Sequence, residues 1–162
     1  MEKKRLGPEA ALQKLRHYCA YQDRCHREVK EKLFSYGIYG ADAENLISKL
    51  IEDDFLNEER YARSYARGHF RMRQWGRTRI TYELKQKGIS AYCIQKAMTE
   101  ISEDSYLDTL HSLIKKKAET VGEFEKTYIK RQKIAAFIIQ KGYESQLVQQ
   151  ELSQFLKEES EK

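Results

Sequence analysis

Ile80-Thr81-Tyr82-Glu83-Leu84-Lys85-Gln86-Lys87-Gly88-Ile89-Ser90 is the stretch that decides the fold. Two apolar residues four apart lead into a glycine, an isoleucine follows it, and a serine able to cap a new helix comes next. The spacing of four puts Ile80 and Leu84 on one face of a helix. Glycine then ends that helix, because a left-handed backbone conformation costs it no side-chain clash. The same figure recurs at Val29, Leu33, Gly37 and Ile38, and again at Ile134, Ile138, Gly142 and Tyr143. The three glycines lie 51 and 54 residues apart. Ten residues beyond each stand Ile47, Met98 and Leu152; thirteen beyond stand Leu50, Ile101 and Phe155. Those later positions, three apart, define the inner face of a second helix.

A repeat of roughly fifty residues therefore organises the chain, and each copy holds a helix, a turn of about three residues and another helix. In the middle copy Ser90 serves as N-cap, with Ile89 and Ile94 placed as a hydrophobic staple. A further helix precedes each pair. Its apolar positions are Leu12, Leu15 and Cys19 in the first copy, Tyr61, Tyr65 and Phe70 in the second, and Leu107, Leu110 and Ile114 in the third. Asn57 caps the second of these, and Glu58 and Glu59 fill its first turn, where acidic groups suit the helix dipole. Strands compete poorly: only three valines occur, apolar and polar residues do not alternate, and the single proline is Pro8. The expected fold is all-α, with three tandem three-helix, helix-turn-helix-like repeats over 1–53, 54–103 and 104–162 forming an elongated, curved array. Connections are expected near Asp53 to Asn57 and near Ser102 to Asp108. A polar stretch from Glu119 to Thr127 lies inside the third repeat, and Lys157 to Lys162 should fray.

Of the 162 residues, 40% are hydrophobic and 34% charged, which supports folded cores under a highly charged surface. Three cysteines with no framework spacing, Cys19, Cys25 and Cys93, point to a reducing compartment. The start from Met1 to Arg5 is basic, but Leu6-Gly7-Pro8-Glu9 follows where a secretion signal needs an apolar run. The longest apolar run, Ile134 to Ile139, is far shorter than a membrane span. The expectation is a soluble, cytoplasmic monomer.

The formal net charge is +5, and its distribution is uneven. Between Arg60 and Gly88 nine basic residues face one acid, Glu83, for a local +8, so the rest of the chain is slightly acidic. Trp75, Tyr82 and Tyr92 are interleaved with them, a composition suited to stacking on bases or on arginine planes as well as to core packing. The candidate contact residues in this stretch are Arg63, Arg67, Arg71, Arg73, Arg77, Arg79, Lys85 and Lys87. Arginine is the better residue for bidentate contact with phosphate or carboxylate. A second set lies in the third repeat: Lys115, Lys116, Lys117, Lys130, Arg131 and Lys133. Against these readings stands a solvated basic face, and for Tyr61, Tyr65 and Trp75 stands packing in the core or between repeats.

Other chemistries find little support. Cys25-His26, with His17 and Cys19, lacks the second ligand pair that a zinc site needs. No glycine-rich phosphate loop occurs. The helix following Ser90, with Tyr92, Cys93, Ile94 and Gln95, lacks the side chains of a base-reading surface, which weighs against operator recognition. No cofactor, metal or catalytic residue is expected.

Several stretches together resemble the RecX family of recombination regulators over nearly the whole chain. They are Asp53-Asp54-Phe55-Leu56-Asn57-Glu58-Glu59-Arg60-Tyr61-Ala62; Gly76-Arg77-Thr78-Arg79-Ile80 with Glu83-Leu84 and Lys87-Gly88-Ile89-Ser90; Lys96-Ala97-Met98; and Lys133-Ile134 with Phe137-Ile138 and Gly142-Tyr143. Two departures stand out: Arg77 occupies a place where family members often carry proline, and Asn57-Glu58-Glu59 replaces a second aspartate pair. The resemblance implies a three-helix repeat protein without chemistry of its own. It also implies binding to the RecA recombinase filament, with restraint of strand exchange and coprotease activity and contact with DNA through the filament or weakly alone. The alternatives left by the residues are a stand-alone nucleic-acid-binding module and a scaffold for an unrelated protein.

Overall fold

A computed structural model describes residues 5–162; Met1–Lys4, which open the basic start, lie outside the described residues. Among the described residues there are nine helices and no strand. They are α1 (Pro8–Tyr21), α2 (His26–Ser35), α3 (Gly40–Glu52), α4 (Glu58–Arg73), α5 (Arg77–Gln86), α6 (Ala91–Met98), α7 (Glu103–Val121), α8 (Thr127–Gln140) and α9 (Ser145–Ser160). No helix among them is long and apolar enough to cross a membrane.

The recurring glycine does the work assigned to it. Gly37, Gly88 and Gly142 all adopt positive φ, at 77°, 78° and 102°. After each, the next amide reaches back five residues: Ile38 to Leu33, Ile89 to Leu84 and Tyr143 to Ile138, at 3.0, 3.1 and 3.4 Å. Each glycine amide bonds three residues back, to Phe34, Lys85 and Ile139. That pair of bonds satisfies carbonyls that a helix end would otherwise leave bare.

The expected caps also form. The Arg60 amide donates to the Asn57 side-chain oxygen at 2.9 Å, and the Cys93 amide to the Ser90 hydroxyl at 3.3 Å. Ser102 caps α7 by accepting from the Ser105 amide at 3.1 Å, so the second connection closes at Ser102 and helix occupies the rest of the expected Ser102 to Asp108 link. Within the expected polar stretch α7 runs on to Val121, which leaves residues 122–126 as the loop, and α9 persists to Ser160 through most of the segment expected to fray.

Two compact units form: residues 5–64 with Leu84–Ala97, and Tyr65–Glu83 with Met98–Lys162. The division passes through α4 and α5. In the first unit α1, α2 and α3 pack on one another around Leu12, Leu15, Val29, Leu33, Ile38, Leu46, Ile47 and Leu50, with Leu56 sealing one edge. Each such side chain, fully buried, contributes about 1.5–3 kcal/mol relative to exposure. Arg60 ties α4 to this body: it pairs with Asp23 at 2.8 Å and donates to the carbonyls of Asp54 and Phe55. The Ser90 amide donates to Glu58 at 2.9 Å, and the Arg27 guanidinium to the Gln86 carbonyl.

In the second unit α7, α8 and α9 pack on one another. Leu110, Leu113, Ile114, Ile134, Ile138, Val148 and Leu152 are buried there. The aligned columns are buried in all three repeats except at Met98 and Phe155, which are half-buried. On α7 it is Tyr106, rather than the expected Leu107, that is fully buried; its ring stacks on Tyr143 with centroids 4.9 Å apart.

Candidate functional site

The middle basic stretch falls into two chemically different groups once its partners are known. Arg77 opens α5, and its guanidinium pairs with Glu103 at 3.0 Å and Glu144 at 2.7 Å while lying 3.9 Å from the centre of the Tyr106 ring. Its backbone amide donates to the Tyr106 hydroxyl at 3.0 Å, and that hydroxyl donates in turn to Glu144. Burial and the Glu144 bond push the Tyr106 phenol far above its ordinary value; burial does the same for Tyr143. Arg77 is thereby committed to the inside of the second unit. Arg67 pairs with Glu100 at 3.1 Å, and Arg63 with Glu59 at 3.6 Å.

Arg71, Arg73 and Arg79 make no ion pair among the described residues. Arg71 and Arg73 are exposed in the last turn of α4. Arg79 lies with its guanidinium 4.0 Å from the centre of the Trp75 ring, and Arg73 reaches the same ring at 5.6 Å. Behind them runs an aromatic column: His69 is 4.6 Å from Trp75, and Tyr65 stacks on His69 at 3.8 Å. Burial raises the Tyr65 phenol, against the pull of Arg73 and Arg79. Stacking holds a guanidinium plane without consuming its N–H donors, leaving the fork open to an anion. Trp75 is buried, so it acts as the platform for the arginines rather than as a surface for a ligand.

How α4 ends explains why these groups sit together. Gln74 adopts positive φ at 58°; its amide donates to the Phe70 carbonyl at 3.0 Å and the Trp75 amide reaches back six residues to the His69 carbonyl at 3.3 Å, so this helix closes one residue wider than those that end at the glycines. The Tyr143 hydroxyl donates to the Gln74 carbonyl at 3.0 Å. Gly76 then approaches the α8–α9 turn so closely that a Cβ there would overlap the Gly142 carbonyl. The Gly76 amide donates to Lys141 and the Thr78 amide to Gly142, both at 2.9 Å. The free amides at the start of α5 are satisfied by the turn of the last repeat.

Among the third-repeat candidates, Lys130 pairs with Glu159 at 3.2 Å, and Lys133 with Glu125 at 2.7 Å. Arg131 bonds Gln149 and Ser153. These three lie on α8 and brace it. Lys115 and Lys116 are exposed on α7, and Lys117 lies 4.7 Å from the centre of the Phe137 ring. Lys141, which the sequence pattern did not single out, lies 5.7 Å from the same ring. Gln74, Leu113, Lys116, Lys117, Thr120, Phe137 and Lys141 line a groove of about 370 Å³. In the first unit, Lys85 is exposed at the end of α5, and Lys87 is half-buried in the turn that follows.

Cys19, Cys25 and Cys93 are all buried as free thiols. Cys25 is the N-cap of α2, its amide bonded to Glu28. Among the described residues no cluster of three histidine, cysteine or acidic side chains could hold a metal ion.

Comparison with known proteins meets the structure at the middle repeat. The model of the second three-helix domain of RecX matches residues 57–98. The chain is 31% identical over 144 residues to a regulatory protein RecX from Bacillus cytotoxicus, covering 89% of this chain and 53% of that one. The corresponding protein of Lactobacillus gasseri is 33% identical over 116 residues, 69% of this chain and 43% of its own length. The chain thus spans about half the length of these relatives, whereas it covers 93% of the Prosthecochloris aestuarii protein at 26% identity. A crystal structure of RecX from Lactobacillus salivarius superposes with a TM-score of 0.80 at 26% identity, over 90% of this chain and 96% of that one. Sequence likeness across most of the chain and a shared all-helical fold agree, and the chain belongs to the RecX family of regulatory proteins.

Proposed function

We propose that this chain binds the RecA recombinase filament and restrains its strand-exchange and coprotease activities, acting as a cytoplasmic monomer without cofactor or catalysis. In this reading residues 1–53, 54–103 and 104–162 are successive three-helix repeats, each offering weak contacts that become strong when linked. The observation that carries it is the set of Arg71, Arg73 and Arg79. Among the described residues they are cations without a carboxylate partner, two of them over the Trp75 ring, in a chain of this family. A guanidinium held on an aromatic face loses little further entropy on meeting phosphate or carboxylate, so it favours an anionic partner.

The test is RecA-dependent ATP hydrolysis on single-stranded DNA, with this protein added below one copy per recombinase. Inhibition at substoichiometric amounts supports the reading. No effect at any ratio ends it.

The same arginines also support a second reading, direct binding to nucleic acid. That reading requires tight association with DNA alone, falling steeply as salt rises. Weak binding that sharpens on recombinase-coated DNA favours the filament instead.

A further inference from the structure

The groove between α7 and the α8–α9 turn differs from the arginine column in ways that identify its ligand. Its rim carries three ammonium groups, Lys116, Lys117 and Lys141, none of which meets a carboxylate among the described residues. Leu113 is buried beneath it, and Phe137 is partly exposed. Lys117 and Lys141 lie 4.7 and 5.7 Å from the centre of the Phe137 ring, so cations flank the exposed aromatic group. The groove is a cationic rim around an apolar floor.

Gln74 supplies a second, independent pointer. Its φ of 58° belongs to the left-handed region, which costs a side chain such as glutamine free energy that glycine would not lose. Of the six other positive-φ positions among the described residues, five are glycine and one is Asp54, at 61°. Here a glutamine stands instead, and it is among the residues that line the groove. Strain of this kind persists where the surroundings enforce it, and it concentrates at ligand sites. Both ends of the rim are held: the Gln74 carbonyl accepts from Tyr143, and the Lys141 carbonyl accepts from Gly76.

We infer that this groove docks an acidic peptide segment carrying one apolar side chain, with the apolar group on Leu113 and Phe137 and flanking carboxylates on Lys116, Lys117 and Lys141. Charge complementarity fixes the occupant: three unneutralised ammonium groups demand anions, and the apolar floor demands a side chain that a phosphate backbone does not offer. The inference rests on the proposed function only for the source of the segment, a protein of the filament; the groove's own preference does not depend on it.

The probe is acetyl-Glu-Asp-Phe-Glu-Asp-amide, titrated into the full chain by calorimetry and followed by amide NMR shifts at residues 113–120 and 137–141. Saturable binding is expected, weakened about tenfold or more by Lys117→Glu combined with Lys141→Glu. Replacing the probe's phenylalanine by serine should weaken it as well. Gln74→Gly, which relieves backbone strain and so keeps the fold, should retain helix content and lose affinity. No saturation below about 1 mM peptide overturns the inference, as does binding indifferent to the lysine substitutions. Oligothymidylate binding that these same lysine substitutions abolish, with the peptide left weak, overturns it in favour of nucleic acid. Recombinase inhibition run in parallel keeps the two ideas separate: intact inhibition without peptide binding sinks the groove alone, and peptide binding without inhibition sinks the filament alone.

Discussion

Gly37 and Gly142 hold the same place in their repeats and end their helices with the same pair of hydrogen bonds, yet they have different neighbours. A Cβ on Gly37 would meet only Arg5, at 3.3 Å or more. A Cβ on Gly142 would overlap the side chain and backbone of Arg79, and its carbonyl already accepts from the start of α5. Beyond its own helix, the first turn holds the segment before α1 through one bond, from the Leu6 amide to the Tyr36 carbonyl at 3.1 Å. The third serves its own helix and a second one, so one local sequence signal carries two structural burdens.

The widest expected gap follows directly. Gly37→Ala should lose about 1–2 kcal/mol, the cost of a left-handed alanine. Gly142→Ala adds the displacement of α5 to the same cost and should lose about 3–5 kcal/mol in urea unfolding followed by circular dichroism. Equal losses would break the comparison.

Next in size is Tyr106→Phe. It leaves the Arg77 amide and the Glu144 carboxylate each short of a partner, for an expected loss of about 1–3 kcal/mol. The raised phenols of Tyr106 and Tyr143 also set a pH limit. The unfolded chain releases these protons near pH 10 while the folded chain retains them, so their contribution is complete below about pH 10 and is lost as pH rises beyond it. Urea midpoints measured between about pH 8 and 12 should fall less steeply in Tyr106→Phe than in the parent chain.

A third measurement separates the arginines by task. Arg77→Gln should lower stability by about 1–2 kcal/mol, because its ion pairs brace the same junction. Arg71→Gln should change stability by less than about 0.5 kcal/mol and weaken binding to the anionic partner. A destabilised Arg71 variant would mean that the exposed arginine has a structural partner after all.

The smallest effect concerns the thiols. Burial raises Cys19 and Cys25 above their ordinary range, and Cys93 is buried too. The folded chain should leave a thiol reagent unreacted over minutes, and all three should react at once in denaturant. Fast reaction of Cys25 would show that the α2 cap opens.

The comparison also explains what the sequence could announce. Helix ends, caps and the inner columns depend on residues close along the chain, so Gly37, Gly88, Gly142, Asn57 and Ser90 were readable by spacing. Tyr106 was not: its burial depends on Arg77 and Glu144, 29 and 38 residues away. The basic stretch was visible as charge, but its division was hidden, because the carboxylates that occupy Arg67 and Arg77 are distant in sequence. Lys141 and Gln74 carried no periodic signal. The one clue to Gln74 was that α4 had to stop there without a glycine.

The peptide unit joining Lys141 to Gly142 lies at the meeting point of both cationic groups in the second unit. On one side its lysine borders the groove; on the other its oxygen, with that of the next peptide unit, holds the start of the helix that bears Arg79. A shift of this turn by an occupant of the groove would pass to the start of α5, and a shift of α5 would pass to the rim of the groove. Whatever its sign, such coupling would be reciprocal: a change that one occupant makes in the other's affinity is matched in return.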